Sequence, residues 1–480
     1  MKIGNLQRVK GLAFVILILV STYVLYNKSF SYFFLQDDWF HLNISKAANV
    51  REFINFFAIR TDIIAWRPIS KQLFFFVSQV LFGLNPLGPH LIIYTFFISN
   101  VFLVYRLVLK LSANYRVAAI TGFLYGTSTI HFTPLSWLSA GEYIIGTFFW
   151  ILCMLTYLSF KEKGEVSFYL LFITFFVLCL ASTEFALTIP LIIIGYEIFL
   201  TINNSRMKVQ ALFNPLIKLL PILTIIFCYL LFRLVVYPIP TKGDYSLSFN
   251  LQIANTFLWY CLWSLNVPEI FKSHIIFSKF TLTKDLAEVL KIYSTPLSIA
   301  FLLFFSTVCY AFFKNLSYKT MKLFFLSLSF LFICLWPVLF LPKHTFAHYL
   351  SIPSIGVYAF ISYLLERLLI KNKIYTTLFI ISLASWFFLS VTSLTFTRKT
   401  SWIPDEEKAS KDIFKKLNIL PKQDKSKLRV IIYPSTLKTR QSLMDQYALQ
   451  VIFDDNRAKT IYEVSKPLIQ EKDFSYLEIQ

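Results

Sequence analysis

Charged residues are scarce in this sequence. Only 15% of the 480 residues are charged and 56% are apolar, whereas a typical soluble protein has about 25% charged and about 45–50% apolar residues. A water-soluble core stops growing at about 250–300 residues, so this much apolar sequence indicates contact with lipid. The composition excludes an ordinary soluble enzyme and predicts an integral membrane protein with several spans.

The sequence also lacks the short motifs of several protein classes. Its six cysteines form no Cys-x-x-Cys pair and have no histidine at ligand spacing, which excludes a disulfide framework and a zinc site. The patterns G-x-x-x-x-G-K-[ST], G-x-G-x-x-G and G-x-S-x-G are absent as well. Nucleotide-driven transport and a hydrolase nucleophile elbow therefore have no support.

Long apolar stretches are abundant. A membrane helix needs about 20 apolar residues, and the first such stretch has no small-residue cleavage site behind it, so we predict an uncleaved span and not a signal peptide. Eleven membrane helices are predicted, at residues 11–26, 91–109, 117–130, 143–160, 168–181, 185–200, 219–236, 296–313, 323–341, 349–370 and 374–396. The apolar run 70–82 is long enough only to lie in the interface or to re-enter the membrane.

The net charge of +20 reflects 46 basic and 26 acidic residues. The basic residues cluster at alternate connections, for example at 2–10, 106–116 and 314–322. Cytoplasmic loops carry such an excess, so we predict a cytoplasmic N-terminus, an extracytoplasmic C-terminus and no nucleic-acid partner. The Gly-poor composition, rich in Phe, Ile and Lys, is typical of an AT-rich genome and favours a bacterial inner membrane.

Three long segments, 27–89, 237–295 and 397–480, then lie on the outer side. The middle segment contains short apolar pieces such as 257–265 and 275–280, which are predicted to lie at the membrane surface. The sequence thus predicts an all-α polytopic fold with about 11 transmembrane helices and outer-face interfacial helices.

The tail differs in composition because it carries charges of both signs. The run LRVIIY at 428–433 predicts a strand, and Leu443, Tyr447 and Val451 recur at helical spacing. We therefore predict a transmembrane catalytic domain at 1–396, whose outer loop 27–89 carries an acidic pair, and a small extracytoplasmic α/β extension at 397–480.

The acidic pair Asp37 and Asp38 follows the first span directly. Carboxylates beside a bilayer are costly, which makes them candidate functional residues, and partial desolvation raises a carboxyl pKa toward the range of a general base. The simpler alternative is the start of a solvated loop or of a helix through Phe40 and Leu42.

Other outer-side residues suit a phosphate or a polar substrate. Arg67, between Trp66 and Pro68, offers a planar fork of donors, although a lipid-contacting arginine is the alternative. His90 opens the second span, and it either binds substrate or anchors the helix end.

Further along the chain, His131 and Glu142 reach the same side, where Glu142 and Glu184 also have a helix-dipole explanation. Lys343, His344 and His348 form a basic cluster that suits a phosphate. The i, i+4 histidine spacing gives only a weak metal signal, so no metal ligand is assigned.

The order of these parts resembles membrane glycosyltransferases of the GT-C class. The likeness extends over about the first 150 residues and rests on the order of six parts. They are a basic N-terminus, one span, an acidic pair followed by Trp, an Arg-Pro pair, GLNPLGPHL at the second span and H-x-x-x-x-x-W before the fourth. The order of these motifs is most similar to that in the tetratricopeptide-tailed protein O-mannosyltransferases and their bacterial relatives. The segment HYLSIPSIG also resembles a segment of that group. The tail has no 34-residue repeat of that group, and Thr133 stands where relatives carry an acid, so the acceptor and the role of the His131 region cannot be transferred.

The resemblance implies a hexosyltransferase that moves a sugar from a polyprenyl- or dolichyl-phosphate donor to an outer-side glycan, lipid or protein acceptor, usually with inversion. Asp37 would be the general base and Asp38 would assist in positioning. Arg67, with Lys343 and the histidines, would hold the lipid phosphate. Some members use a divalent metal ion and others do not, so no cofactor is certain.

A transporter or flippase for lipid-linked glycans is the alternative function. Transporters place ionisable groups near the membrane midplane on broken helices. Here the candidate residues collect at one surface, which favours the transferase.

Overall fold

The computed structural model describes residues 2–61, 63, 65–203, 210–236, 243, 245–276, 281–282, 291, 295–369, 372–419, 429–467 and 474–478. Within these ranges the chain is predominantly helical. The long helices are α1 (Lys2–Tyr26), α5 (Leu87–Ser112), α6 (Tyr115–Gly126), α8 (Glu142–Lys163), α9 (Val166–Leu180), α10 (Ile189–Asn203), α11 (Gln210–Val236), α14 (Thr295–Lys314), α15 (Tyr318–Leu339), α16 (Ser354–Leu369) and α17 (Lys373–Thr400).

The shorter helices form the connections and the C-terminal part. They are α2 (Asp37–Ile44), α3 (Val50–Ile54), α4 (Phe74–Phe82), α7 (Phe132–Ser136), α12 (Gln252–Trp263), α13 (Phe271–His274), α18 (Ile403–Ile419), α19 (Leu437–Ser442) and α20 (Tyr447–Ile452). A single π-helical turn, Ile69–Leu73, runs directly into α4.

The prediction of several membrane-spanning helices is confirmed, although fewer than eleven described helices meet the length and composition of a span. Eight helices of the described chain are long and apolar enough to cross a membrane, by length and composition: Phe14–Ser31, Leu87–Ser112, Leu138–Lys163, Glu184–Thr201, Leu216–Val236, Thr295–Lys314, Tyr318–Leu339 and Lys373–Thr400. Each coincides with a predicted span. The other three predicted spans overlap α6, α9 and α16, which have only 12, 15 and 16 residues. The eight candidate spans make this an integral, multi-pass membrane protein.

The short apolar pieces have the expected sizes. The run that includes 70–82 forms one short apolar helical stretch, Ile69–Phe82, and 257–265 overlaps the 12-residue helix α12. Of the piece 275–280, Ile275 and Ile276 form a strand, β1, that pairs antiparallel with β2 (Thr281–Leu282), and residues 277–280 lie outside the described chain.

A buried polar hub joins several helices of the bundle. The Asn266 side-chain oxygen accepts hydrogen bonds from the Ser128 hydroxyl (3.0 Å) and from the Thr129 backbone N–H (2.9 Å). Its amide nitrogen donates to Ser390 (2.9 Å), and the Tyr358 hydroxyl donates to Ser128 (2.6 Å). Buried polar groups need such partners, so the hub fixes how α16, α17 and the α6–α7 connection meet.

The C-terminal part contains a three-stranded parallel sheet in the order β4–β3–β5, with β3 at Arg429–Tyr433, β4 at Lys459–Tyr462 and β5 at Ser475–Glu478. The predicted strand is thereby confirmed over its described residues. The helix predicted through residues 443–451 is wrong at its start, because α19 ends at Ser442, and Met444 and Asp445 have positive φ angles of 47° and 54°. That conformation breaks a helix, and α20 begins only at Tyr447.

The C-terminal part packs against the helix that carries the acidic pair. The indole N–H of Trp39, which is fully buried, donates to the Ser410 hydroxyl of α18 (2.9 Å). Asn43 donates to Gln450 of α20 (3.1 Å), and the rings of Phe40 and Tyr447 meet edge to face at 5.0 Å. One face of α2 is therefore shaped by residues near the other end of the chain.

Candidate functional site

Asp38 is a buried tether between two connecting segments. Its Oδ1 accepts hydrogen bonds from the backbone N–H (2.7 Å) and the hydroxyl (2.6 Å) of Ser139, and its Oδ2 accepts from the Leu35 N–H (3.2 Å). Burial raises the pKa of Asp38 to about 7, although the hydrogen bonds from Ser139 and Leu35 act in the opposite direction. Both oxygens thus accept hydrogen bonds from inside the protein.

Asp37 has a different environment, although it is the neighbouring residue. It is partly buried in the first turn of α2, where the helix dipole favours an anion. Burial raises its pKa, the Lys71 ammonium lowers it and the Glu142 carboxylate raises it. No described residue donates a hydrogen bond to the Asp37 carboxylate, so its oxygens are available to a ligand.

Four charged side chains form a network beside the acidic pair. Arg67 donates from Nη1 to Glu142 Oε1 (2.6 Å) and from Nε to Glu184 Oε2 (2.9 Å). Its Nη2 also lies 2.6 Å from Glu184 Oε2. The Lys71 Nζ lies 3.2 Å from Glu142 Oε2 and donates to the Ser139 carbonyl (2.5 Å). Two cations and two anions therefore compensate one another in a largely buried cluster.

The local structure brings these four residues together. Arg67 and Lys71 are one turn apart, on either side of Pro68, where the π-helical turn begins. Glu142 is the first residue of α8 and Glu184 the first of a 3₁₀ turn, Glu184–Thr188, so both carboxylates also have the dipole role expected from the sequence. Arg67 has five N–H groups, of which three face these carboxylates, so two are not used by Glu142 and Glu184.

An aromatic and imidazole cluster borders the charged network. The His344 and Tyr245 rings are 4.2 Å apart between centroids, and His344 Nδ1 is hydrogen-bonded to the Tyr349 hydroxyl (2.6 Å). Burial raises the pKa of Tyr245, and Arg67 and Asp37 both influence it electrostatically. Tyr245 therefore lies near the charged network, at the same end of the helix bundle.

His348 and Lys343 differ in exposure. His348 is buried, with its ring against Phe346 (5.3 Å) and Tyr143 (4.7 Å). Burial lowers the pKa of His348 to about 3, opposed by the Glu142 carboxylate, so this imidazole is neutral at physiological pH. Lys343 is exposed and directly precedes His344 in the chain.

The two remaining histidines have internal partners instead. His90 is buried, with its ring nitrogens 3.1 Å from the Leu135 carbonyl and 3.2 Å from the Tyr32 carbonyl. His131 is buried, with Nε2 3.1 Å from the Tyr125 carbonyl and its ring 4.8 Å from that of Phe97. These contacts join connecting segments and do not direct either histidine to the charged network.

The structure adds residues that the sequence did not single out. Ser139 holds Asp38 and Lys71 together, and Tyr245 and Tyr349 line the site. The sequence already marks Glu184 as a helix-start acid, and the spacing of Lys71, four residues after Arg67, is visible there too. Within the described chain no group of three or more His, Cys, Asp or Glu side chains is arranged to hold a metal ion.

No family model and no curated protein matches this sequence. The structure is similar to solved structures of two membrane-protein types. One is the archaeal oligosaccharyltransferase AglB from Archaeoglobus fulgidus, in complex with an inhibitory peptide and a dolichol-phosphate, at 12% identity and a TM-score of 0.49 over 95% of this chain. This chain spans 65% of the length of the AglB chain.

The other is ArnT from Cupriavidus metallidurans. Its apo structure is 12% identical, covers 93% of this chain and 85% of its own, and has a TM-score of 0.45. The structure with undecaprenyl phosphate is 12% identical, covers 92% and 84%, and has a TM-score of 0.46. Each TM-score lies below 0.5, so the function has to be inferred from the chain's own residues.

Proposed function

We propose that this chain is an integral-membrane glycosyltransferase of the GT-C class, which transfers a hexose from a polyprenyl-phosphate donor to an acceptor hydroxyl, with Asp37 as the general base. The observation that carries the proposal is the contrast within the acidic pair. Asp38 is held on both oxygens, whereas Asp37, with a raised pKa, receives no hydrogen bond from a described residue.

The proposed transfer requires a carboxylate base at the acceptor hydroxyl and positive charge at the leaving phosphate. The acceptor oxygen forms a bond to the anomeric carbon while the bond from that carbon to the donor phosphate oxygen breaks, and the acceptor proton passes to Asp37. Attack on the face opposite the phosphate inverts the anomeric centre. A base with a raised pKa is suited to the first role, and the leaving phosphate needs stabilisation of negative charge.

Arg67 is the main candidate for the phosphate. Two of its N–H groups are free of Glu142 and Glu184, and these carboxylates hold the guanidinium plane in a fixed orientation. Such preorganisation favours stabilisation of a developing charge. Lys343, which is exposed, supplies a second positive charge at the edge.

The proposed orientation places this end of the bundle outside the cytoplasm. The site lies where α1 ends and α8 begins, whereas Lys110, Lys161 and Glu162 lie at the opposite ends of their helices. The positive-inside tendency then puts the N-terminus in the cytoplasm and the C-terminal part outside. A bacterial inner membrane is the proposed location.

The test uses the full chain in lipid vesicles with a panel of radiolabelled polyprenyl-phosphate hexoses and a membrane extract as acceptor. We expect label transfer by the wild type and at least about a hundredfold lower rate for Asp37→Asn, the lower end of what a general base contributes. Asp405→Asn is the matched control, because Asp405 is an exposed aspartate paired with Lys438 (2.7 Å), and it should retain the wild-type rate.

Three outcomes would contradict the proposal in different ways. Transfer that survives Asp37→Asn would remove the base assignment. Movement of labelled donor across the vesicle bilayer without transfer would favour a flippase. A wild type that neither binds nor transfers any donor of the panel would overturn the glycosyltransferase function.

A further inference from the structure

The residue before the proposed base has an unusual backbone conformation. Gln36 has φ 47° and ψ −126°, and the Asp38 N–H donates to the Leu35 carbonyl (3.1 Å). These are the features of a type II′ turn, the mirror image of type II, with Gln36 at its first central position. Glycine is the usual residue there because an L side chain is strained at positive φ.

Contacts from the C-terminal part hold Gln36 in this conformation. Its backbone N–H donates to the Ser442 carbonyl at the end of α19 (3.0 Å), and its side-chain amide donates to Glu406 Oε2 of α18 (2.5 Å). Glu406 is itself buried, at 6% exposure. A strained conformation persists only where surrounding contacts determine it, and here they come from both the backbone and the side chain.

The turn sets the backbone position from which the Asp37 side chain projects. Asp37 is the second central residue of the turn and the first residue of α2. The Trp39 N–H also donates to the Gln36 carbonyl (3.0 Å), so a change at Gln36 would alter the first turn of the helix. Gln36 itself makes no described contact with Arg67, Lys71 or Glu142.

We infer that Gln36 is a positioning residue, fastened to Ser442 and Glu406 of the C-terminal part, which holds Asp37 in the orientation that accepts the acceptor proton. This inference rests on the proposed function for its catalytic consequence, but its structural claim can be tested alone. The C-terminal part thus acts on the reaction through the turn.

The first measurement is hydrogen–deuterium exchange of the full chain in lipid, read at the amides of Asp38 and Trp39. Gln36→Ala and Glu406→Ala should increase exchange at these two amides at least about tenfold, and Glu406→Gln, which keeps an acceptor oxygen, should remain within about twofold of the wild type. Asn43→Ala is the matched control, since it removes another contact between α2 and the C-terminal part, with Gln450, away from the turn.

The second measurement is the rate of transfer. Gln36→Ala should lower kcat at least about tenfold with an unchanged KM for the donor, because Gln36 has described contacts with the C-terminal part and none with the residues proposed to hold the phosphate. Gln36→Gly should recover part of the loss, since glycine adopts positive φ without strain. A general loss of stability would lower the transfer rate of both Gln36 variants and of Asn43→Ala together. It would not make Gln36→Gly faster than Gln36→Ala.

The possible failures are separable. Unchanged exchange in Gln36→Ala, or an equal increase in Asn43→Ala, overturns the inference whether or not the protein transfers sugar. Increased exchange with a wild-type kcat overturns the positioning role and leaves the glycosyltransferase standing. If the wild type transfers nothing, the exchange data still decide whether Gln36 holds the turn, and only the proposed function falls.

Discussion

Replacement of Asp38 by asparagine should remove a large pH dependence from the stability of the protein. The folded chain keeps the Asp38 proton up to about pH 7, whereas an unfolded aspartate loses it near its ordinary pKa of 3.8. Between these values the folded state binds more protons, so the free energy of unfolding falls as the pH rises from about 4 to about 7. Asparagine does not titrate and lacks this contribution.

The magnitude follows from the difference between the two pKa values. From 3.8 to about 7 is about three pKa units, and each unit corresponds to about 1.4 kcal/mol. The stability of the wild type relative to Asp38→Asn should therefore decrease by about 4 kcal/mol across this range. Asparagine also leaves the Leu35 N–H without an acceptor, which adds about 1–3 kcal/mol of destabilisation that is independent of pH.

The assay is unfolding of the full chain in mixed micelles of increasing SDS content, followed by tryptophan fluorescence at several values between about pH 4 and about pH 8. Ser139→Ala provides an internal check. The hydrogen bond from the Ser139 hydroxyl lowers the pKa of Asp38, and alanine removes it. The pH-dependent decrease in the free energy of unfolding should therefore extend to higher pH in this variant than in the wild type. A difference between wild type and Asp38→Asn that is the same at every pH would refute the reasoning.

Two further predictions concern the charged network. Because burial raises the pKa of Asp37, the transfer rate should fall as the pH drops below that raised pKa. Lys71 lowers the pKa of Asp37, so Lys71→Met should move this acid limb of the pH–rate profile to higher pH. Profiles of both proteins check this, and an acid limb at the same pH in both would contradict it. Glu142→Gln should destabilise the fold by about 3 kcal/mol, because the buried Lys71 loses its carboxylate partner. Lys46→Ala should cost at most about 1 kcal/mol, because the pair of Lys46 with Asp454 is exposed. SDS unfolding compares the two variants, and equal losses would contradict the assignment.

Apolar length located the membrane helices well but not their ends. The segment 349–370 begins as a 3₁₀ turn, Ala347–Ser351, and α16 starts only at Ser354, after Pro353. Proline has no backbone N–H and is tolerated at the start of a helix but not in its interior, and hydropathy is insensitive to this effect. Similarly, α6 ends at Gly126, although the apolar run continues to Ile130.

The charged network was predictable in some of its members but not in its pairings. An acidic pair at a helix start and an Arg-Pro turn are visible in the sequence, and the sequence also marked Glu142 and Glu184 as helix-start acids. That Arg67 contacts Glu142, 75 residues away, and that Asp38 contacts Ser139, 101 residues away, depends on helix packing. Sequence spacing reports only neighbours within one element, so the distinct environments of Asp37 and Asp38 required the structure.

The contact between Trp39 and Ser410 joins residues 371 positions apart, and this has a consequence for biosynthesis. All eight candidate spans end by Thr400, so the chain emerging from the ribosome can insert every one of them before α18, α19 and the sheet exist. The acidic turn then gains its partners in α18 and α19 only after these spans have been synthesised, because contacts of such long sequence separation form late. Membrane insertion and maturation of the site are therefore separate events in the life of this protein.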